Sequence, residues 1–147
     1  MTNALIKRRI AHFVARQGRR PRILVSNMGP SSHDRDTKLL AAVFAESGFD
    51  VDISPPGQTA RGTAWMAIEN DVHLICFLST KNKQRRQIPD MLKALKAQHA
   101  QDIKIVMGGA IPRSDYPYLY DAGVALILSS LPPEKGEINQ LLDLFKK

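Results

Sequence analysis

The run Val72-His73-Leu74-Ile75-Cys76-Phe77-Leu78 constrains this chain more than any other stretch. A strand with one face in water alternates apolar and polar residues, and this one does not. It predicts a central strand of a parallel sheet, covered by helices on both faces.

The segments around it supply the rest of such a sheet. Arg22 to Met28 reads as a first buried strand, and Asp34 to Ser47 as a helix with Leu39, Leu40, Val43 and Phe44 inward, stopped by Gly48. Asp50 to Ile53 is a short second strand turned by Pro55-Pro56-Gly57, and Thr59 to Asn70 is a helix. Val72 to Leu78 is the third strand. Pro89 to Ala100 is a helix with Ile88, Met91, Leu92 and Leu95 on one side, followed by a strand from Ile103 to Met107. Tyr116 to Ala122 is a helix stopped by Gly123, Val124 to Leu128 is a fifth strand, and Ile138, Leu141, Leu142 and Phe145 mark a last amphipathic helix. Strands alternating with helices predict an α/β, flavodoxin-like, doubly wound five-stranded parallel sheet of order 2-1-3-4-5. Its topological switch lies between the first and third strands. The loops after them, Gly29 to His33 and Ser79 to Gln87, are where a ligand is expected.

Charge separates the N-terminal segment from the rest. The net charge is +7, yet all 14 acidic residues lie beyond residue 22, where as many bases match them. The excess is therefore Lys7, Arg8, Arg9, Arg16, Arg19, Arg20 and Arg22. Ile6, Ile10, Phe13 and Val14 make an apolar face on a basic helix over residues 3–17, and Gln17 to Pro21 reads as a linker. Two units are expected: residues 1–20, a basic amphipathic helix and linker, and residues 21–147, the α/β domain. The helix is expected to pack on the domain or on a partner. A membrane-surface or nucleic-acid arm is the competing reading, and the charges lack the interleaved aromatics of single-strand binders. Residues 21–147 are expected to fold without the arm, because the sheet begins after Pro21.

Several function classes are excluded or left without support. No apolar run of about 18 residues exists to cross a membrane as a helix. No apolar signal core opens the chain, and the lone Cys76 allows no internal disulfide, so a cytoplasmic setting is expected. There is no Walker motif, no Gly-x-Gly-x-x-Gly after a strand and no zinc spacing. A phosphoacceptor pocket would need acids at the end of the first strand, where Ser26-Asn27-Met28 stands. By itself His33 reads as an ordinary loop histidine, His73 as a satisfied structural one, and His12 and His99 as surface residues. Tyr116, Tyr118 and Tyr120 read as helix packing, and Lys81 to Arg86 as a solvated loop at the switch point.

The segments PRILVSNMG, SHDRDTKLLAAVFAESGFDVDI, NDVHLI and MGGAIPRSDYPYLYDAGVALIL, running in order from Arg20 to about Pro133, carry a resemblance. The chain resembles the cobalamin-binding domain of the methylmalonyl-CoA mutase family. That family's signature is Asp-x-His-x-x-Gly, then Ser-x-Leu, then Gly-Gly. The resemblance makes His33 the lower axial ligand to the cobalt of cobalamin, in its adenosyl form. It extends the cofactor site to Ser31, Asp34, Asp36, Ser79, Thr80, Gly108, Gly109, Ser129 and Ser130. No residue of the chain is assigned to catalysis. The resemblance also implies a protein partner, a mutase large subunit or related acyl-CoA enzyme, since the part that would bind an acyl-CoA ester is missing. The chain alone is not expected to be catalytic.

The motif is degenerate. Ser31 stands at the aspartate position, so the second ring nitrogen of His33 would meet an uncharged acceptor and the imidazole would be a weaker donor to cobalt. Asp36 replaces the last glycine, putting a side chain and a negative charge near a phosphodiester. Asn27 stands where the mutases usually have lysine. The Ser-x-Leu stretch reads Leu78-Ser79-Thr80, followed by the basic Lys81 to Arg86, and Ser129-Ser130-Leu131 replaces a glycine-rich turn. The same departures support a rival expectation, a diverged domain that has lost cobalamin and serves regulation or assembly.

Overall fold

A computed structural model of the chain describes residues 3–27, 34–78, 84–109 and 111–145. Its five-stranded sheet is parallel throughout, in the order β2-β1-β3-β4-β5. The strands are β1 (Arg22–Asn27), β2 (Asp50–Ile53), β3 (Leu74–Leu78), β4 (Lys104–Gly108) and β5 (Leu126–Ile127). The helices are α1 (Asn3–Gln17), α2 (Asp34–Ser47), α3 (Ala60–Glu69), α4 (Gln84–Ala97), α5 (Tyr116–Ala122) and α6 (Lys135–Asp143). The expected topology is therefore the observed one.

Side chains of β1, β3 and β4 alternate between two apolar layers. Leu24, Ile75, Phe77, Ile105 and Met107 meet α3, α4 and α5 on one face. Ile23, Val25, Leu74, Cys76, Leu78 and Val106 meet α1, α2 and α6 on the other. Every residue of β3 is buried, as its unbroken apolar run requires. Burial pushes the Cys76 thiol up to about 12, so it stays protonated, a small hydrophobe without thiolate chemistry.

Several local expectations differ from the structure, among them the fourth strand, expected over Ile103–Met107 and found one residue later as β4. On α2 the buried set is Thr37, Leu40, Ala41 and Phe44, while Val43 is half-buried and Leu39 is 45% exposed. Spacing of three and four residues from Leu40 fixes that face, and Leu39 lies about 100° around the helix from it. The helix expected from Pro89 begins five residues earlier, at Gln84, with Pro89 inside it on an exposed side. Val72 precedes β3, because its N–H closes the end of α3 on the Ala67 carbonyl at 3.2 Å. In β5 only Leu126–Ile127 is strand, although the N–H groups of Ala125 and Leu128 also bond across to β4 at 2.8 Å.

The N-terminal helix shares the core. Ile6 and Ile10 are buried in the layer that holds Ile23, Leu40 and Leu74, and Phe13, also buried, meets His73 and Phe145 edge-on. Gly48 marks how close the approach is: its φ is +111°, and a Cβ there would lie 3.0 Å from Ile10 Cδ1. The basic face is partly neutralised inside the fold. Arg9 bonds the Asn139 amide oxygen at 2.6 Å and the Asp143 carboxylate at 2.8 Å, and Arg22 grips Asp52 through two nitrogens at 2.9 and 3.2 Å. Removing residues 1–20 deletes three buried apolar side chains and bares the surface they cover, each worth about 1.5–3 kcal/mol, together a large part of a typical domain's net stability. Residues 21–147 are expected to melt cooperatively but at a clearly lower temperature than the full chain in a thermal scan. Loss of the cooperative melt would move the domain boundary to the N-terminal side of α1.

Candidate functional site

Register places the ends of three strands in one row. Asn27 pairs with Leu78 and Leu78 with Gly108, so the loops carrying His33, Ser79-Thr80 and Gly109 all leave from one line across the sheet. This is the carboxyl edge at the switch between β1 and β3, where crevices open in sheets of this winding. His33, Ser31, Ser79 and Thr80 lie outside the described residues, as do Lys81 to Lys83. Asp34 opens α2, and Asp36 is exposed on its first turn. Gly108 ends β4 and is buried. Gly109 follows with φ of +102°, a conformation that favours glycine.

Ser129 and Ser130 follow β5, and their hydroxyls are already engaged. Glu137, on the first turn of α6, accepts the Ser129 N–H at 2.6 Å, the Ser129 hydroxyl at 2.9 Å and the Ser130 hydroxyl at 2.9 Å. It also accepts the Glu134 N–H at 3.4 Å, one half of a capping box. Partial burial pushes its carboxyl up, but these bonds to the charged form outweigh that and hold it below the usual range. Glu137 was not among the sequence candidates. Its signal was the Glu134-x-x-Glu137 spacing at the head of an amphipathic helix. A second polar group also escaped notice: the hydroxyls of Ser26, Ser54 and Thr63 are buried, Ser26 within 3.1 Å of Thr63, and Ser54 accepts the Asn27 N–H at 3.2 Å. A serine inside an otherwise apolar strand signals such a partner.

The described residues fit a corrinoid in outline. The left-handed turn at Gly109 carries no side chain to obstruct an approaching ligand. On the N-terminal part of α4, the Gln87 amide oxygen is shielded from solvent and has no hydrogen-bond partner among the described residues, suiting a ligand that brings amide N–H donors. Three leucines fill the space beside Gly108: a Cβ built there would lie 3.4 Å from Leu131 Cδ2, 3.6 Å from Leu78 Cδ2 and 3.8 Å from Leu128 Cδ1.

At the opposite, amino-terminal edge lies a cavity of about 490 Å³, lined by Phe13, Arg19, His73, His99, Lys104 and Phe145 among others. His73 there is satisfied, as expected: its Nδ1 accepts the Arg22 N–H at 3.0 Å, and Phe13 and Phe145 meet its ring edge-on. Burial, then the charge of Arg19, lower its pKa, while Asp71 opposes them.

Residues 21–129 match the family model "B12 binding domain", and the chain belongs to that family. It is 40% identical over 135 residues to the methylmalonyl-CoA mutase of Escherichia coli, a match covering 92% of this chain and 19% of that protein. The chain thus spans about a fifth of the length of the curated relatives it matches. Its fold is shared with a cobalamin-binding protein from Desulfitobacterium hafniense (TM-score 0.72, 13% identity, 98% of this chain and 68% of that one). It is shared also with the monomethylamine corrinoid protein of Methanosarcina barkeri (TM-score 0.69, 11% identity, 97% of this chain and 63% of that one).

His73 generates a pH prediction. Its folded pKa lies below the unfolded 6.5, so its contribution to stability is complete above about pH 6.5 and declines as pH falls towards the folded value. Protonation would also break the Arg22 N–H bond. His73→Asn keeps an acceptor but does not titrate, so the loss of Tm between pH 7.5 and 5 should be smaller in the variant. Equal slopes would show that His73 is not the group responsible.

Proposed function

We propose that this chain binds cobalamin at the carboxyl edge of its sheet and presents it to a separate acyl-CoA mutase-type partner. The observation carrying this is membership of the B12-binding family, together with a histidine, His33, between β1 and α2 in the sequence. The partner would be a mutase large subunit or a related acyl-CoA enzyme, because the matched relatives carry the domain as a small part of a longer chain. A cytoplasmic setting belongs to the same proposal; among the described residues no helix is long and apolar enough to cross a membrane.

When bound, cobalamin supplies the cobalt centre for an isomerisation at the partner's substrate site. The chain's own residues hold and orient it. His33 would hold the cobalt through one ring nitrogen, and Ser31 would accept a hydrogen bond from the other, fixing the tautomer. Gly109 leaves room for close approach, and Gln87 offers an acceptor. Asp36, exposed at the head of α2, repels a phosphodiester by its charge. Two observations favour the rival reading of a cobalamin-free regulatory or assembly module: the hydroxyls of Ser129 and Ser130 are spent on Glu137, and Leu131 lies over Gly108.

The test is retention of adenosylcobalamin and hydroxocobalamin after removal of free cofactor, read by visible spectroscopy. The full chain should retain cofactor with its own base displaced by imidazole, and His33→Ala should lose that ligation while staying folded. Ser31→Asp with Asp36→Gly should tighten binding, by restoring a carboxylate behind the imidazole and removing a charge from the cofactor's path. Retention by the double variant alone would favour the rival reading for the natural chain. Retention by neither would end the cobalamin reading and leave a likeness of fold, which does not assign function.

A further inference from the structure

Residues 129–134 are tied down at the mouth of the proposed site. Three hydrogen bonds from Ser129 and Ser130 converge on one carboxylate, Glu137, and bonds to a charged acceptor are the stronger kind. The Ser130 hydroxyl also lies 3.1 Å from the Pro132 carbonyl, so both residues flanking Leu131 are involved. Leu131 is half-buried against the layer that contains Leu78, Val106 and Leu128. It is also the nearest side chain to the space above Gly108. Of the three leucines beside Gly108, Leu78 and Leu128 are fixed in the core and Leu131 is the half-buried one that can move aside, and Glu137 holds the loop that carries it.

We propose that Glu137 is a positioning residue that sets ligand affinity at the carboxyl edge, by holding the 129–134 strap so that Leu131 covers Gly108. This builds on the corrinoid reading above and gives it a direction: loosening the strap strengthens binding. The charged carboxylate is the form that accepts all three bonds, and those bonds hold its pKa below the usual carboxylate range. The strap is therefore latched at neutral pH and yields only to a ligand that outcompetes the Leu131 contact.

Two variants separate latch from cover. Glu137→Ala removes the acceptor, whereas Leu131→Ala removes the cover and leaves the carboxylate and both serines in place. Two readouts are taken on the full chain: backbone amide exchange of Ser129, and the dissociation constant for hydroxocobalamin by spectral titration. Glu137→Ala should accelerate Ser129 exchange by tenfold or more, an order-of-magnitude expectation for a lost charge-assisted bond. Leu131→Ala should leave that exchange unchanged. Both should bind hydroxocobalamin roughly tenfold more tightly than the natural chain, about the worth of displacing one partly packed leucine. A purely structural role for Glu137 predicts weaker binding and no effect of Leu131→Ala. Unchanged exchange in Glu137→Ala with binding intact overturns the latch alone. Weaker binding by either variant overturns the cover. Binding by none of the three proteins overturns the affinity assignment together with the corrinoid reading, while the exchange data still report on the latch.

Discussion

Burial of β3 on both faces is the constraint from which the rest of the structure follows. Its backbone bonds run to β1 on one side and β4 on the other, and its side chains point alternately into the two apolar layers. Both faces must then be covered, which demands helices on each and crossovers between parallel strands. The right-handed crossovers place β2 outside β1 and β4 beyond β3, so successive connections leave β1 and β3 towards opposite faces. A crevice between those two strands is a consequence of that winding. The candidate site is thus located by the core before any polar residue is considered.

The element pattern was legible in the sequence because it is dominated by apolar burial. The bounds of α2, β2 and α5 are those expected, Gly123 stops α5 as expected, and Thr59 and Asn70, read as the ends of a helix, are its caps. What failed were local choices decided by tertiary contacts. Leu39 is as apolar as Leu40, but only a helix angle set by Thr37, Leu40, Ala41 and Phe44 reveals which one faces the sheet. Pro89 looked like a helix start because proline is best tolerated in the first turn. In α4 a turn precedes it, with Ile88 buried on the same side as Met91 and Leu95. The basic helix was expected to pack on the domain or on a partner, and Phe13 is held by His73 and Phe145 from distant parts of the chain.

The site was legible to a smaller degree. Motif spacing pointed to Gly108, Gly109, Ser129 and Ser130, and all four lie at the carboxyl edge. It could not tell that the serine hydroxyls are bonded to Glu137, since that depends on the angle at which α6 leaves the loop. Nor could it tell that Leu131 turns back over Gly108. The buried hydroxyls of Ser26, Ser54 and Thr63 show the same limit: each polar group is visible in sequence, but their mutual satisfaction requires β1, β2 and α3 to be brought together.

The central claim is that the carboxyl edge holds a corrinoid through a protein histidine. Electron paramagnetic resonance of the chain loaded with cobalamin and reduced to the cobalt(II) state tests it most directly, using protein grown with nitrogen-15 histidine and unlabelled cofactor. A lower ligand supplied by His33 predicts that the nitrogen splitting of the cobalt signal changes from the nitrogen-14 to the nitrogen-15 pattern on labelling, and that His33→Ala abolishes the change. A splitting that keeps the nitrogen-14 pattern in the labelled protein would mean that the cofactor's own base remains on cobalt, and would contradict the account.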